Sequence, residues 1–305
     1  MPASAPGRRR EGVSVFDFLF TTLVEPFAEF EFMRRALIGA MALAVAGAPV
    51  GVFLMLRRMS LTGDAMAHAI LPGAAIGYLV FGLSLSAMTV GGLIAGLAVA
   101  IGAGAVARAS VLKEDATLAA FYLVSLALGV TIVSARGSNV DLLHVLFGTV
   151  LALDDQALVL IAGIATVTLV AFAVILRPLV LESIDPIFLA SVGRVGAVVH
   201  LVFMGLVVLN LVGAFHALGT LLAVGMMMLP AASARLWVED LTPLVAVATL
   251  IGTISAIAGL LVSYHWALPA GPAIILVAGL VYLSSLVLGR RGLVAGRLAR
   301  PHLEA

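Results

Sequence analysis

The chain has 305 residues, of which 63% are hydrophobic and 11% charged, and its mean hydropathy is +1.21. Soluble domains are roughly a quarter charged, and a soluble core of this length could not bury so much apolar surface. The composition therefore excludes a soluble enzyme, a nucleic-acid-binding protein and a disordered chain. The net charge of +1 indicates no acidic partner, and the lack of cysteine excludes disulfides and thiolate metal sites.

The N-terminal 30 residues are predicted to lie outside the membrane core. Residues 1–12 are basic and are expected to form a disordered tail. Residues 13–33 are aromatic but contain one aspartate, three glutamates and Pro26. A charge at the bilayer centre costs about 2.5–3.5 kcal/mol on insertion scales, so this stretch is predicted to be an interfacial helix rather than a span.

From Ala36 onward, apolar runs of the roughly 20 residues needed to cross a bilayer alternate with short polar joints. The sequence thus predicts an all-α, polytopic protein of the cell membrane with about nine transmembrane helices. The permease domain is expected over residues 31–290, followed by a cytoplasmic tail over 291–305. The spans are expected near 36–56, 64–82, 86–107, 117–134, 156–176, 195–213, 217–235, 243–263 and 270–288.

Glycine is frequent in these spans, for example in GGLIAGLAVAIGAGA (91–105). Such glycines fit close helix packing in lipid, and they equally fit a membrane helix that simply tolerates glycine. Sequence alone does not choose between the two interpretations.

The distribution of basic residues predicts the orientation, because cytoplasmic joints are enriched in lysine and arginine. If the joint after the first span is cytoplasmic, 11 of the 17 basic residues lie inside and the C-terminus is cytoplasmic. The inside set is Arg57, Arg58, Arg108, Lys113, Arg177, Arg194, Arg235, Arg290, Arg291, Arg297 and Arg300. The five arginines before the first span conflict with this assignment, because they would lie outside.

Two joints are longer than a turn. The outer joint, near residues 135–155, is half apolar and is predicted to contain a short re-entrant or interfacial helix. The cytoplasmic joint over residues 178–194 is predicted to contain a short helix lying flat between two spans. Pro186 suits the first turn of that helix, and Gly193 suits its end.

The clearest chemical motif is RRMSLTGDAMAHAILPG (57–73). Asp64 and His68 are four residues apart and share one face of a helix, where they would form half of a site for zinc, manganese or iron(II). In the alternative interpretation, Asp64 caps the first turn of the second span, and His68, one turn later, is the polar partner of its carboxylate. Pro72 and Gly73 follow one turn later and predict a kink.

Other residues were weaker candidates. His200 is expected in mid-membrane, as a packing residue rather than a ligand. The three methionines Met226–Met228 fit gap-filling in a core better than a gate. Lys113 is the only lysine and does not lie in a phosphate-binding loop, so any ATP would have to be bound by another chain.

Three function classes remain from the residues alone. The first is an importer for a divalent metal, and the second is an ion- or proton-coupled secondary transporter that uses Asp64–His68 as a relay. The third, an intramembrane enzyme, has no recognisable nucleophile–base pair. The chain is therefore expected to be a transport subunit without catalytic residues and without a permanently bound cofactor, the metal being its cargo.

The opening of the permease domain resembles the zinc/manganese/iron(II)-type ABC importer permeases, whose mark is the string RRMSLxGDAxxHAxLPG. The similarity covers roughly residues 30–288 in order. It continues through VDLLHVLFGTVLAL, IDPIFLASVG, LGTLLAVGMMMLPAASARL and ALPAGPAIILVAGL.

This resemblance implies a permease of the type II, cobalamin-importer-like class, working as a homodimer with two copies of an ATP-binding subunit and an extracytoplasmic metal-binding receptor. It implies that Asp64 and His68 are ligands on the metal pathway. It also implies that the segment from Glu182 to Gly193 couples the permease to the ATPase. The residues expected in that contact are Glu182, Ile184, Asp185, Phe188 and Gly193, with an apolar face made by Ile184, Ile187, Phe188 and Leu189.

Overall fold

The computed structural model describes residues 20–82, 84–112, 114–135, 153–193 and 195–294. Within these ranges the chain is helical and contains no strand. The helices are α1 Glu25–Glu29, α2 Glu31–Leu56, α3 Ser60–Ala69, α4 Leu71–Phe81, α5 Leu85–Ala109, α6 Glu114–Ala135, α7 Asp155–Ile184, α8 Pro186–Val192, α9 Val195–Leu218, α10 Thr220–Arg235, α11 Leu241–Trp266 and α12 Ala270–Leu288.

A helix occupies each of the nine predicted spans. Eight helical segments in the described part of the chain are long and apolar enough to cross a membrane, with α3 and α4 forming one segment, Ser60–Phe81. The ninth, α10, has 16 residues and measures about 24 Å, somewhat less than the hydrocarbon core of about 30 Å. The all-α, multi-pass architecture is confirmed.

The first span begins earlier than predicted. α2 starts at Glu31 rather than Ala36, and Arg35 forms ion pairs with Glu31 at 2.7 Å and with Asp155 at 3.0 Å. These partners let the helix extend through a charged segment. Of the predicted interfacial helix over 13–33, residues 20–33 are described and contain α1 and the start of α2, whereas residues 1–19 and 136–152 lie outside the described ranges.

Glycines allow several helices to approach at backbone distance. A Cβ atom on Gly73 of α4 would overlap the carbonyl oxygen of Gly91 of α5, and one on Gly91 would overlap that of Gly73. One turn further along α4, a Cβ on Gly77 would lie 2.6 Å from the carbonyl oxygen of Ala87. Close packing, rather than tolerance alone, therefore explains Gly91.

The core contains large apolar side chains from helices that are distant in sequence. Met226 and Met227 of α10 are fully buried, as are Phe53 of α2 and Phe203 of α9. This burial agrees with the gap-filling interpretation of Met226 and Met227, and the terminal methyl groups of Met227 and Met228 lie beside Gly63 of α3.

Residues that the basic-residue pattern assigns to one side of the membrane meet in the structure. Arg57, after the first span, pairs with Glu182 at the end of the fifth. Arg291, after the last span, pairs with Glu239 in the joint between α10 and α11. The alternation of sides is thus consistent with the predicted topology, while the absolute orientation stays a prediction.

Candidate metal site and coupling segment

The helix that carries the candidate metal ligands starts directly after a tight joint. α2 ends at Leu56, the joint is Arg57–Met59, and α3 begins at Ser60. Asp64 is the fifth residue of α3, and no side chain caps that helix. The interpretation of Asp64 as a helix cap is therefore wrong, because the helix begins one turn before it.

Asp64 and His68 lie on one face of α3. Oδ1 of Asp64 is 3.9 Å from Nε2 of His68, which is too long for a hydrogen bond. The side chain of Asp64 is 64% exposed and that of His68 is 28% exposed. Asp64 thus opens towards the surface of the single chain, and His68 is partly open beside it.

The same face borders a cleft of about 170 Å³ between α3 and α6. Asp64 lines it from α3, and Asp115 and Tyr122 line it from α6. The Tyr122 ring also lies 6.3 Å from the His68 ring, centroid to centroid. Asp115 and Tyr122 were not singled out in the sequence, since only the fold brings α6 beside α3.

The helix breaks immediately after His68, as the Pro72–Gly73 pair predicted. α3 ends at Ala69 and α4 starts at Leu71, with Pro72 in its first turn. The buried hydroxyl of Ser125 on α6 donates a 2.9 Å hydrogen bond to the carbonyl oxygen of Ala69. This bond joins the last residue of α3 to α6 and so fixes the end of α3 at the break.

One chain offers only a pair of ligands at this position. Among the described residues, no group of three or more histidine, cysteine, aspartate or glutamate side chains is arranged to hold a metal ion. Zinc and manganese sites use at least four ligands, so Asp64 and His68 would need donors from elsewhere.

The predicted cytoplasmic helix is present with the predicted ends. α8 runs from Pro186 to Val192, and the carboxylate of Asp185 accepts a 2.8 Å hydrogen bond from the backbone N–H of Phe188. Gly193 follows with φ +141°, a conformation that residues with a side chain rarely adopt. Asp185 and Gly193 thus set the start and the end of α8.

The segment 178–194 is not all cytoplasmic joint, because α7 continues to Ile184. Ile184, Ile187 and Phe188 are exposed, at 77%, 82% and 54%. Leu189 is buried and lies against Gly196 of α9, so it does not belong to the exposed apolar face.

Glu182 points away from that exposed face. Its side chain is only 10% exposed, and Oε1 lies 2.9 Å from Nη2 of Arg57. His200, which was expected in mid-membrane, is instead near the start of α9 and joins this pair, with Nδ1 2.7 Å from Nη2 of Arg57. Sequence reasoning missed this contact because the partners are 125 and 143 residues apart.

Comparison with known proteins identifies the family. Residues 29–289 match the model of the ABC 3 transport family. The chain belongs to that family. It is 33% identical over 267 residues to the manganese import system permease protein ScaB of Streptococcus parasanguinis, covering 88% of this chain and 94% of ScaB.

Two further matches extend the comparison. The chain is 34% identical over 261 residues to the manganese transport system membrane protein MntC of Listeria monocytogenes, covering 85% of this chain and 91% of MntC. The solved structure described as PsaBC from Streptococcus pneumoniae in complex with Fab superposes with a TM-score of 0.79 at 30% identity. The match covers 89% of this chain and 97% of that one.

Membership of the ABC 3 transport family agrees with the resemblance drawn from the GDAxxHA motif. The chain is thus a multi-pass permease subunit of an ABC transporter. Family membership also argues against the secondary transporter, because ABC transporters are driven by ATP.

Proposed function

We propose that this chain is the membrane-spanning subunit of an ATP-driven importer for a divalent transition metal, with manganese as the first candidate. The observation that carries the proposal is the Asp64–His68 pair, exposed on one face of α3 within the membrane segment Ser60–Phe81. The manganese-related names of ScaB and MntC support this choice of metal.

A second copy of the chain would complete the metal site. An aspartate that is 64% exposed within a membrane segment is costly against lipid, so its face is expected to meet a partner or a water-filled path. In a symmetric dimer, two Asp64 carboxylates and two His68 imidazoles would surround one axis. Four such donors fit tetrahedral zinc, or manganese and iron(II) completed by water.

The cytoplasmic helix α8 would bind the ATP-binding subunit, one copy for each permease chain. Its exposed residues Ile187 and Phe188 offer apolar area at the cytoplasmic side, and Ile184 extends this area from α7. Asp185 and Gly193 would act indirectly by fixing the ends of α8. An extracytoplasmic metal-binding receptor would deliver the metal from the other side.

Metal uptake in cells tests this function. Cells that lack the chain are expected to lose manganese uptake, measured together with zinc and iron, and the chain should restore it only when its ATPase is present. Uptake that persists without any ATPase would favour the secondary transporter. If zinc or iron uptake is lost instead of manganese uptake, the importer function stands and the transported metal is zinc or iron.

A further inference from the structure

A charged cluster lies where α2, α7 and α9 meet. Nη2 of Arg57 is 2.9 Å from Oε1 of Glu182 and 2.7 Å from Nδ1 of His200, and Nδ1 of His200 is 3.6 Å from the same glutamate oxygen. The side chains of Arg57 and Glu182 are 11% and 10% exposed. The three helices are therefore joined by a nearly buried network of charged and polar groups.

An aromatic column continues this junction into the core. The guanidinium carbon of Arg57 lies 5.2 Å from the centroid of the Phe203 ring, close enough for a cation–π contact. Phe53 of α2 packs against Phe203 at 6.4 Å and edge-on against Phe172 of α7 at 5.2 Å. These rings come from the same three helices, so movement of one helix end acts on the others through close packing.

The ion pair does not use all of its hydrogen-bonding capacity. Nη1 of Arg57 and Oε2 of Glu182 are buried, and neither has a hydrogen-bond partner within the described ranges. Arginine and carboxylate groups can form two parallel bonds, whereas this pair is held through one nitrogen and one oxygen. A change of geometry between one and two bonds is thus available without separating the charges.

The cluster stands between the coupling helix and the metal-ligand helix. Glu182 is three residues before Asp185, the residue that caps α8. Arg57 is three residues before Ser60, where α3 begins, and seven before Asp64. On the far side of the cluster, Leu189 of α8 contacts Gly196 at the start of α9.

We propose that Arg57 and Glu182 are positioning residues that transmit movement of α8 to the metal-ligand helix α3. The inference rests on the proposed function. Separating a buried ion pair leaves two uncompensated charges, so the pair is expected to move as one unit. Displacement of the end of α7 by a docked ATPase would draw Arg57, and with it the start of α3 and Asp64.

The test measures how much metal is transported for each ATP hydrolysed, in vesicles that contain the permease, its ATPase and its receptor. Glu182→Gln keeps the shape of the side chain and removes its charge. Glu239→Gln is the matched control, because Glu239 pairs with Arg291 at an exposed position outside the cluster. Glu182→Gln should assemble and hydrolyse ATP but move about tenfold less manganese per ATP, a usual size for coupling between sites.

The double variant Arg57→Gln/Glu182→Gln separates coupling from folding. It leaves no lone buried charge, so thermal stability should return towards that of the wild type while the metal moved per ATP stays low. If the double variant regained both stability and transport, the link would be contradicted. Loss of ATPase binding in both the single and the double variant would contradict it too. The link would also be contradicted if Glu182→Gln moved as much manganese per ATP as Glu239→Gln.

The same assay distinguishes failure of the proposed function from failure of the link between α8 and α3. A wild-type complex that moves no manganese, zinc or iron(II) with ATP would contradict the proposed function itself. A wild-type complex that transports normally beside a fully coupled Glu182→Gln would contradict only the link between α8 and α3.

Discussion

Oδ1 of Asp64 and Nε2 of His68 lie 3.9 Å apart, one helical turn from each other on α3. Tetrahedral bonds of about 2.0–2.2 Å would place two donors about 3.3–3.6 Å apart, so the two side chains would have to close by a few tenths of an ångström to bind one ion. The donors are not hydrogen-bonded to each other, so binding would not have to break a bond between them. After that adjustment, the pair would supply half of the coordination shell proposed for the dimer.

Removing either ligand should abolish transport without unfolding the protein. Asp64→Asn and His68→Ala are each expected to reduce metal uptake by at least about 100-fold, since even outer-shell changes at metal sites cost 10–100-fold. In a dimer each substitution removes two donors. The measurement is uptake normalised to the amount of protein in the membrane.

Two controls accompany this prediction. Asp240→Asn and His265→Ala change the same residue types at positions away from α3 and should leave uptake unchanged. Normal uptake by Asp64→Asn at normal expression would show that this carboxylate is not a metal ligand.

A charge on the exposed face of α8 should uncouple the ATPase. Phe188 is 54% exposed, and Phe188→Asp would bury a charge without a partner in the proposed contact. We expect the ATPase to dissociate, measured by co-purification, while insertion into the membrane is unaffected.

The control for this substitution is Trp237→Asp, an exposed aromatic residue in the joint between α10 and α11. It should leave the complex intact. Cross-links from residues 181–193 that never reach the ATPase, or normal transport by Phe188→Asp, would mean that α8 is an ordinary connection.

The crossing of α4 and α5 should be sensitive to a single methyl group. Gly73→Ala would place Cβ against the carbonyl oxygen of Gly91, a backbone atom that cannot move aside alone. We expect a loss of about 1–3 kcal/mol in stability, as for overpacking of a core, measured by thermal unfolding in detergent.

Gly163→Ala is the matched control for the crossing, because nothing lies within 4 Å of a Cβ at this helical position of α7. Alanine favours a helix over glycine, so this variant should unfold at the same or a higher temperature. Equal stability of the two variants would contradict the close approach at Gly73.

Topology reporters test the orientation. A reporter fused after Pro301 should report the cytoplasm, and one inserted near Ser138 should report the outer side, because 11 of the 17 basic residues are assigned inside. Exchanged results would invert the whole arrangement and place α8 on the side opposite to an ATPase.

Local sequence signals predicted the elements whose causes are local. The ends of α8 followed from Pro186 and Gly193, since a first-turn proline and a glycine at the helix end each act within one turn, whereas the cap by Asp185 was seen only in the structure. The break between α3 and α4 followed from Pro72 for the same reason.

Features that depend on distant contacts were not predictable in this way. Arg57 meets Glu182 and His200 only in the fold, and His200 was therefore placed in mid-membrane as a packing residue. The end of α7 was also misplaced, because Arg177 and Pro178 resemble a helix end but lie within a helix that continues to Ile184.

The most direct measurement is ATP-dependent manganese uptake by vesicles that contain the permease, its ATPase and its receptor. The wild-type chain should take up manganese only when ATP reaches the ATPase. A chain with both Asp64→Asn and His68→Ala should assemble the same complex and take up none. ATP-dependent uptake that survives the loss of both ligands would contradict the account.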